Sequence, residues 1–437
     1  MNEFKKSKYT LVVKCDDALI LYNTLNGSMI YLSEPKYIDQ IINLFSEKNL
    51  IPEDKNLFEK LYQSNFILDK SINENEIANL AFLNRYKVNK QLKLLIYVTN
   101  DCNFNCIYCP QIHTPTYMTN TTIDSLCASV ENLIVNSDFN SISISWFGGE
   151  PLLNFNVIER GMMNFLKIAK TYDLSIHSGI TTNGYFLTKV TVQKLFELKV
   201  LEYQITLDGL ETAHNKNRIL KNGEGTWNVI WNNLLSMKEK TDKFYVNLRI
   251  NVNIDNATEA IALKNMVNLY LDSRFVVRIQ PIVNMGNPHP NVNYCSALES
   301  QIIQLNLYDF LSENNDEDTS IEYTIDPFGL MCNSSDPNYF VIKEDGHIYK
   351  CELKVEDPTN CIGYIDKNKF SINSFKIASY VTPSTSSICM DCRLYPLCFG
   401  LSCPYKREKN FDCSIRNTFL LEEYIKVIAK KLLGKKS

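Results

Sequence analysis

Residues 92–109 read LKLLIYVTNDCNFNCIYC. The apolar run Leu94 to Thr99 has the length of one buried strand, and it passes through Asn100 and Asp101 into three cysteines, Cys102, Cys106 and Cys109. Working outward, the pattern of buried strand, loop and helix repeats from about Leu92 to Pro281. Strands are expected at Ile142 to Phe147, Leu174 to Thr181, Glu202 to Leu207, Tyr245 to Val252 and Phe275 to Gln280. Helical periodicity lies between them at Ile123 to Asn136, Ile158 to Tyr172, Val190 to Leu198 and Asn228 to Lys240. Such alternation implies an α/β fold with a parallel sheet and right-handed crossovers. Six units rather than eight make it a partial (β/α)6 TIM-like barrel, with chemistry at the carboxyl ends of the strands.

The surrounding chain is ordinary except in one respect. With 45% hydrophobic and 22% charged residues it is a globular protein, and its 437 residues suggest about three domains. A net charge of −4, from 45 basic and 49 acidic residues, gives no basic excess for nucleic acid. The N-terminus MNEFKKSKYT lacks a secretory apolar core, and no run reaches the roughly 20 apolar residues of a membrane span, so a cytoplasmic location is expected. The exception is cysteine: 14 residues, eight of them between Cys332 and Cys413. A chain this long does not need disulfides for stability, and in a reducing compartment the clustering points to metal.

Before the barrel, the first 90 residues read as a separate unit. Strands are expected near Thr10, Leu19 and Met29, with a hairpin turn at Asn26-Gly27, then helices at Tyr37 to Ser46 and Leu57 to Ser64. Asp69 to Ala78 reads as a linker. Beyond Asn284 the β/α rhythm is lost, and Met331 to Cys413 is short, turn-rich and cysteine-dense. Metal cross-links would replace an apolar core there. A last helix is expected at Arg416 to Leu433.

Three thiols within eight residues can converge on one centre. Three thiolates fit an iron–sulfur cubane with one iron left free, whereas structural zinc takes four ligands, the fourth here being His113. The spacing C-x3-C-x2-C, with Tyr108 before the third cysteine, resembles the signature of radical S-adenosylmethionine (SAM) enzymes. Gly148-Gly149-Glu150-Pro151 after the second strand resembles that family's GGEP motif, whose carbonyls and carboxylate hold the SAM amino group. Thr181, Thr182 and Asn183 before Gly184 resemble its TNG segment near the SAM ribose and carboxylate. Ile205 to Gly209, followed by His214 and Arg218, is similar to S-[IL]-D-G-x4-H-x3-R, with Thr206 in the serine position, and Arg249-Ile250-Asn251 is also family-like. The resemblance implies a 4Fe-4S cluster on Cys102, Cys106 and Cys109. It also implies SAM bound by Gly148, Gly149, Glu150, Thr182, Asn183, Thr206 and Arg218.

The later cysteines resemble the SPASM extension of that family, which carries auxiliary 4Fe-4S clusters. Cys332 precedes the hairpin VIKEDGHIYKC, in which Gly346 and Cys351 form a G-x4-C element, and Cys389, Cys392 and Cys398 form C-x2-C-x5-C. The family's interleaving implies Cys332, Cys351 and Cys403 for one cluster and Cys389, Cys392, Cys398 and Cys413 for a second, three clusters in all. Two departures stand out. Cys398 to Cys403 is C-x4-C rather than C-x3-C, and no further cysteine lies near Cys332. The first auxiliary cluster is therefore open to a substrate thiolate or to a distant ligand such as Cys295. A pair of zinc sites is the alternative reading of these spacings, and Cys15, Cys127 and Cys361 read as packing residues.

The resemblance implies an oxidoreductase in which one electron cleaves SAM to a 5′-deoxyadenosyl radical, with flavodoxin or ferredoxin as donor. Relatives with this double extension act on peptides and proteins. The N-terminal unit resembles, in pattern, a winged-helix-like element that binds a leader peptide by strand addition. The expected function is thus maturation of a ribosomally made precursor peptide (RiPP biosynthesis) by thioether formation from a cysteine. The alternatives are a formylglycine-generating sulfatase activator, a carbon–carbon cross-linker and a non-catalytic metal-stapled module. The expected domains are 1–90 for leader recognition, 91–300 for the radical SAM core and 301–437 for the auxiliary clusters. Asp208, His214 and Asp326 are candidate acid–base groups, none of them selected by pattern.

Overall fold

A computed structural model of the chain describes residues 4–46, 52–253, 256–284, 289–290, 292–312, 325–408, 413 and 420–434. It divides into two compact units: Met1–Asn89 with Thr319–Ser335 and Tyr380–Ser437, and Lys90–Asp318 with Asp336–Ser379.

The first unit begins with β1 (Phe4–Lys6), β2 (Thr10–Cys15), β3 (Ala18–Asn23) and β4 (Met29–Leu32), followed by α1 (Pro35–Phe45), α2 (Lys55–Gln63) and β5 (Ile67–Asp69). Strands β2, β3 and β4 form an antiparallel sheet, and β1 pairs with β5. The Asn26-Gly27 turn is present: Gly27 takes φ of +73° and its N–H donates to the Asn23 carbonyl. Leu19 and Leu21 of the sheet pack against Ile41 and Leu44 of α1 and Leu57 and Leu61 of α2. The expected linker at Asp69 to Ala78 is corrected, because β5 ends at Asp69 and α3 spans Glu74–Val88. Its polar start is a helix cap: Asn73 accepts the Asn75 N–H, and Glu74 and Glu76 occupy the first turn. Ala78 and Phe82 then bury against Tyr395, Phe399 and Leu401 in the same unit.

The second unit carries β6 (Gln91–Thr99), β7 (Ser141–Gly148), β8 (Ser175–Thr182), β9 (Glu202–Thr206), β10 (Tyr245–Val252) and β11 (Phe275–Pro281). They lie side by side in chain order, all parallel, within one ten-stranded sheet. Between them come α4 (Asn120–Val135), α5 (Phe155–Thr171), α6 (Lys189–Glu197), α7 (Glu211–Asn217), α8 (Trp227–Lys238) and α9 (Ala257–Tyr270), with α10 (Ala297–Ser312) after β11. Among the described residues β11 pairs only with β10 and the sheet does not close, so the fold is the expected α/β partial barrel.

The loss of rhythm beyond Asn284 is only local. β12 (Tyr339–Ile342) returns parallel to β6, and β13 (His347–Tyr349), β14 (Gly363–Asp366) and β15 (Lys369–Ile372) extend the sheet antiparallel. Lys350 fastens this return: its buried ammonium donates to the carbonyls of Asp336 and Tyr339 and stands 5.3 Å from the Phe340 ring centre. The last helix spans Leu421–Gly434, and its expected start at Arg416 lies outside the described residues. Among the described residues no helix is long and apolar enough to cross a membrane.

Candidate active site

The motif residues of the second unit gather where β6 to β10 end. The cysteine loop leaves β6 and is held down by the segment after α7. The Asn105 and Ile107 N–H groups donate to the Ile219 and Asn217 carbonyls at 2.8 and 3.1 Å, and the Lys221 N–H donates to Asn103. Cys102 is buried, and Cys106 and Cys109 are half-buried. Burial pushes the Cys102 and Cys106 thiols up to about 12 and about 11, and raises Cys109 also. The charges of Cys106 and Cys109 add to the rise at Cys102, so the three thiolates repel within one neighbourhood and call for a cation. His113 faces Cys109 Sγ through Nε2 at 3.4 Å and meets the Asn100 carbonyl through Nδ1 at 3.1 Å. Among the described residues no three His, Cys, Asp or Glu side chains stand at the spacing of a single ion. A cubane takes one thiolate per iron corner, so its ligands stand wider apart than those of zinc.

The glycine pair explains why this loop lies where it does. A Cβ on Gly148 would sit 2.2 Å from the Thr99 carbonyl oxygen, and one on Gly149 2.2 Å from that of Asp101. Gly148 also takes φ of +144°, a conformation that side chains rarely adopt. With no side chains between them the two strand ends join directly: Gly149 N–H donates to Thr99 and Glu150 N–H to Asp101, at 3.1 and 2.8 Å.

Glu150 is fully buried. Its Oε1 accepts from Leu152 N–H at 3.0 Å and Thr182 Oγ1 at 2.7 Å, and its Oε2 from Asn183 N–H at 2.7 Å. Three donors aimed at two oxygens and the charge of Arg218 favour the anion, but burial outweighs them and pushes the carboxyl up to about 7. Asn183 in turn donates to Asn103 in the cysteine loop at 2.7 Å. Thus β7, β8 and the loop form one connected surface.

A second network comes from the remaining motif. Asp208 is fully buried, and its Oδ2 accepts from the Tyr108 hydroxyl at 2.5 Å. The same hydroxyl receives Arg218 Nη1 at 3.1 Å and Asn251 Nδ2 at 2.9 Å. In the sequence Tyr108 stands out only as an aromatic; its role as the hub of three polar groups from later in the chain cannot be read from spacing. His214 accepts the Asp208 N–H on Nδ1 at 3.2 Å, and Nε2 meets Thr226 Oγ1, which donates to the Arg218 carbonyl. Burial holds its imidazole neutral, well below the usual range, so it is a bolt for the loop. Thr206, buried on β9, lies in register with Arg249 of β10. The third acid–base candidate, Asp326, is an exposed residue of the first unit.

The auxiliary-cluster candidates fall as follows. In the first unit, burial pushes the Cys398 thiol up to about 12, with Cys392, Cys413 and Cys389 adding to the rise, so these four share one neighbourhood. Cys332 donates its N–H to the Leu401 carbonyl, two residues before Cys403, and its Sγ accepts from Ser334 Oγ at 3.2 Å. Cys351 belongs to the second unit, at the end of β13. Cys295, in that unit too, points its thiol at the Val252 carbonyl at 3.9 Å. Cys15 and Cys127 are buried in β2 and α4, and Cys361 Sγ meets the Gly363 carbonyl at 3.0 Å.

Residues 96–260 match the model of the radical SAM superfamily, so this unit contains a radical SAM domain and the chain is an enzyme of that type, working with a 4Fe-4S cluster and SAM. The chain is 25% identical over 367 residues to a cysteine-type anaerobic sulfatase-maturating enzyme of Clostridium novyi (strain NT), covering 78% of this chain and 96% of the relative. It is 24% identical over 462 residues to the radical SAM cyclopropyl synthase TigE of Paramaledivibacter caminithermalis, covering 91% and 89%. Its fold is similar to that of Streptococcus suis SuiB bound to precursor peptide SuiA, with a TM-score of 0.53 at 15% identity over 95% of this chain and all of that one.

Two outcomes follow from this geometry. Gly149→Ala forces a Cβ onto backbone, and it is expected to cost about 3 kcal/mol in anaerobic urea unfolding and to lower iron uptake on reconstitution. Glu150 is protonated in the folded, SAM-free protein and ionised when unfolded between about pH 4.5 and 7. Its contribution to stability is full below that window and lost as pH rises through it, by about 3 kcal/mol. The wild-type advantage over Glu150→Gln should shrink across the window in urea titrations; a constant difference would show that Glu150 stays ionised.

Proposed function

We propose that the chain is a radical SAM maturase that forms a thioether, from a cysteine sulfur to carbon, in a ribosomally made precursor peptide. The observation that carries the peptide reading is the edge strand β4. The Leu421–Gly434 helix packs against β2 and β3, and β4, at the edge of the sheet, pairs only with β3 among the described residues. An open edge accepts an extended peptide as a further strand, with side-chain pockets supplying selectivity. In this reading residues 1–90 bind the leader, 91–300 form the catalytic core and 301–437 carry two auxiliary clusters. The thioether rests on the cysteine missing near Cys332, which leaves an iron for the substrate thiolate.

The residues fit both cofactors. Cys102, Cys106 and Cys109 would hold the first cluster. Glu150, a buried carboxyl with no ion-pair partner among the described residues, would take the SAM ammonium beside Gly148 and Gly149. Arg218 Nε is buried without a partner among the described residues, which suits the SAM carboxylate, with Thr206, Thr182 and Asn183 completing the contacts. When bound, the reduced cluster and SAM supply a 5′-deoxyadenosyl radical that removes a hydrogen atom from the substrate. The chain's part is to orient: Tyr108 fixes Arg218 and Asn251, and His214 fixes the turn that carries Asp208. Cys332, Cys351 and Cys403, and Cys389, Cys392, Cys398 and Cys413, would hold the auxiliary clusters, with flavodoxin or ferredoxin as electron donor.

Likeness to the sulfatase-maturating relative supports a second reading, oxidation of a cysteine to formylglycine. Anaerobic iron analysis should give roughly twelve irons per chain for three cubanes, and about four would reject the auxiliary clusters. The precursor encoded beside this gene, incubated with enzyme, SAM and reductant, should lose two hydrogens and one alkylatable thiol. Loss of two hydrogens with all thiols intact would replace the thioether by a carbon–carbon link. An aldehyde formed on a sulfatase peptide would establish the second reading.

A further inference from the structure

Helices cover the outer face of parallel strands wound into a barrel, and the side chains of the other face line its interior. Here the register separates the two faces clearly. On β9, β10 and β11, Ile205, Leu248, Ile250 and Val277 are apolar and buried, whereas the alternate positions include Gln204, Asn247, Arg249 and Arg278, all half-buried. Arg249 and Arg278 are directly paired in register on adjacent strands, so their side chains leave the same face. Like charges in that relation repel.

Neither guanidinium forms an ion pair among the described residues. Arg249 Nε donates to Asn251 Oδ1 at 2.9 Å, a neutral partner, and Arg278 Nε is buried with no partner among the described residues. The acids near Arg249 are Asp208, committed to Tyr108 and the Asn251 N–H, and Glu352, whose Oε2 accepts from the Tyr339 hydroxyl at 2.8 Å. Neither forms an ion pair with either arginine among the described residues. Arg218 is already held by Tyr108 and stands 5.5 Å from the Phe104 ring centre. The pair also lies beside the reaction centre: Arg249 leads through Asn251 to the Tyr108 hydroxyl, one residue before Cys109.

We propose that Arg249 and Arg278 form a carboxylate-binding subsite on the open face of the sheet, which seats an acidic group of the substrate next to the hydrogen to be abstracted. Two forks on one face offer a planar anion bidentate contact, and the anion an unmodified peptide carries is a carboxylate. The assignment rests on the peptide reading above for its substrate, though not for the binding itself. Its source is an Asp or Glu side chain or the peptide's C-terminus, and the chemistry is shared.

Small probes test the site without turnover. Holoenzyme reconstituted with iron and sulfide and saturated with SAM is titrated calorimetrically with N-acetylglutamate α-amide, N-acetylglycine and the neutral N-acetylglutamine amide. At least one acid should bind where the neutral amide does not, and the tighter acid identifies the source. Arg278→Gln should weaken that binding about tenfold, and Arg278→Lys by less, because the charge remains but the fork is lost. Acids that bind no better than the amide, or equally well to wild type and Arg278→Gln, overturn the proposal. So does an equal loss of SAM affinity in Arg278→Gln, which would assign the guanidinium to the cofactor. If the acids bind as expected but no precursor is modified, the subsite stands and the peptide-maturase reading fails.

Discussion

The approach of Gly148 and Gly149 to the backbone of Thr99 and Asp101 is the contact on which the rest of the site depends. Two carbonyls lie where Cβ atoms would be, so the end of β7 can lean on the end of β6 only if both residues are glycine. That contact sets the height of the cysteine loop above the sheet. It also delivers Glu150 to the bottom of the same depression, where β8 can reach it through Thr182 and Asn183. Moving either backbone by an ångström would separate the thiols from the carboxylate, because both are attached to the same two strand ends.

Above this contact the site is held by polar groups that are almost all committed to one another. Tyr108, from the cysteine loop, ties β9 through Asp208 and β10 through Asn251, and restrains Arg218. A network of this kind is rigid because each member satisfies the next, and costly to disturb because a freed buried group finds no water. The few atoms left over therefore carry information. Among the described residues Arg218 Nε and Arg278 Nε are donors without acceptors, and Glu150 is a buried acid with no ion-pair partner. Their signs complement a zwitterionic cofactor and an acidic substrate.

How much of this was legible in the sequence depended on range. The six parallel strands were readable to within a few residues, since Ile142, Ile144 and Trp146 on β7, or Val246, Leu248 and Ile250 on β10, announce a strand packed under helices. The motif residues followed, because spacing along one loop is local. The start of α3 was misread for a local reason too: Asn73, Glu74 and Glu76 are as suitable for a helix cap as for a linker, and only the burial of Phe82 against Phe399, more than 300 residues away, decides between them. The return of β12 beside β6 was invisible for the same cause. Its four buried residues, Tyr339 to Ile342, look like any short apolar run until their partner is known.

The distinction between a hub and an aromatic filler is of the same kind. A tyrosine before the third cysteine could serve through its ring alone, in which case phenylalanine would do. The hydroxyl of Tyr108 has three partners drawn from positions 208, 218 and 251, so its chemistry is fixed by residues that come 100 or more positions later. The face that Arg249 and Arg278 share emerges in the same way, from register rather than from spacing. Spacing thus carries the chemistry that can be read along one loop, while the cross-strand pairs are assembled only by the fold.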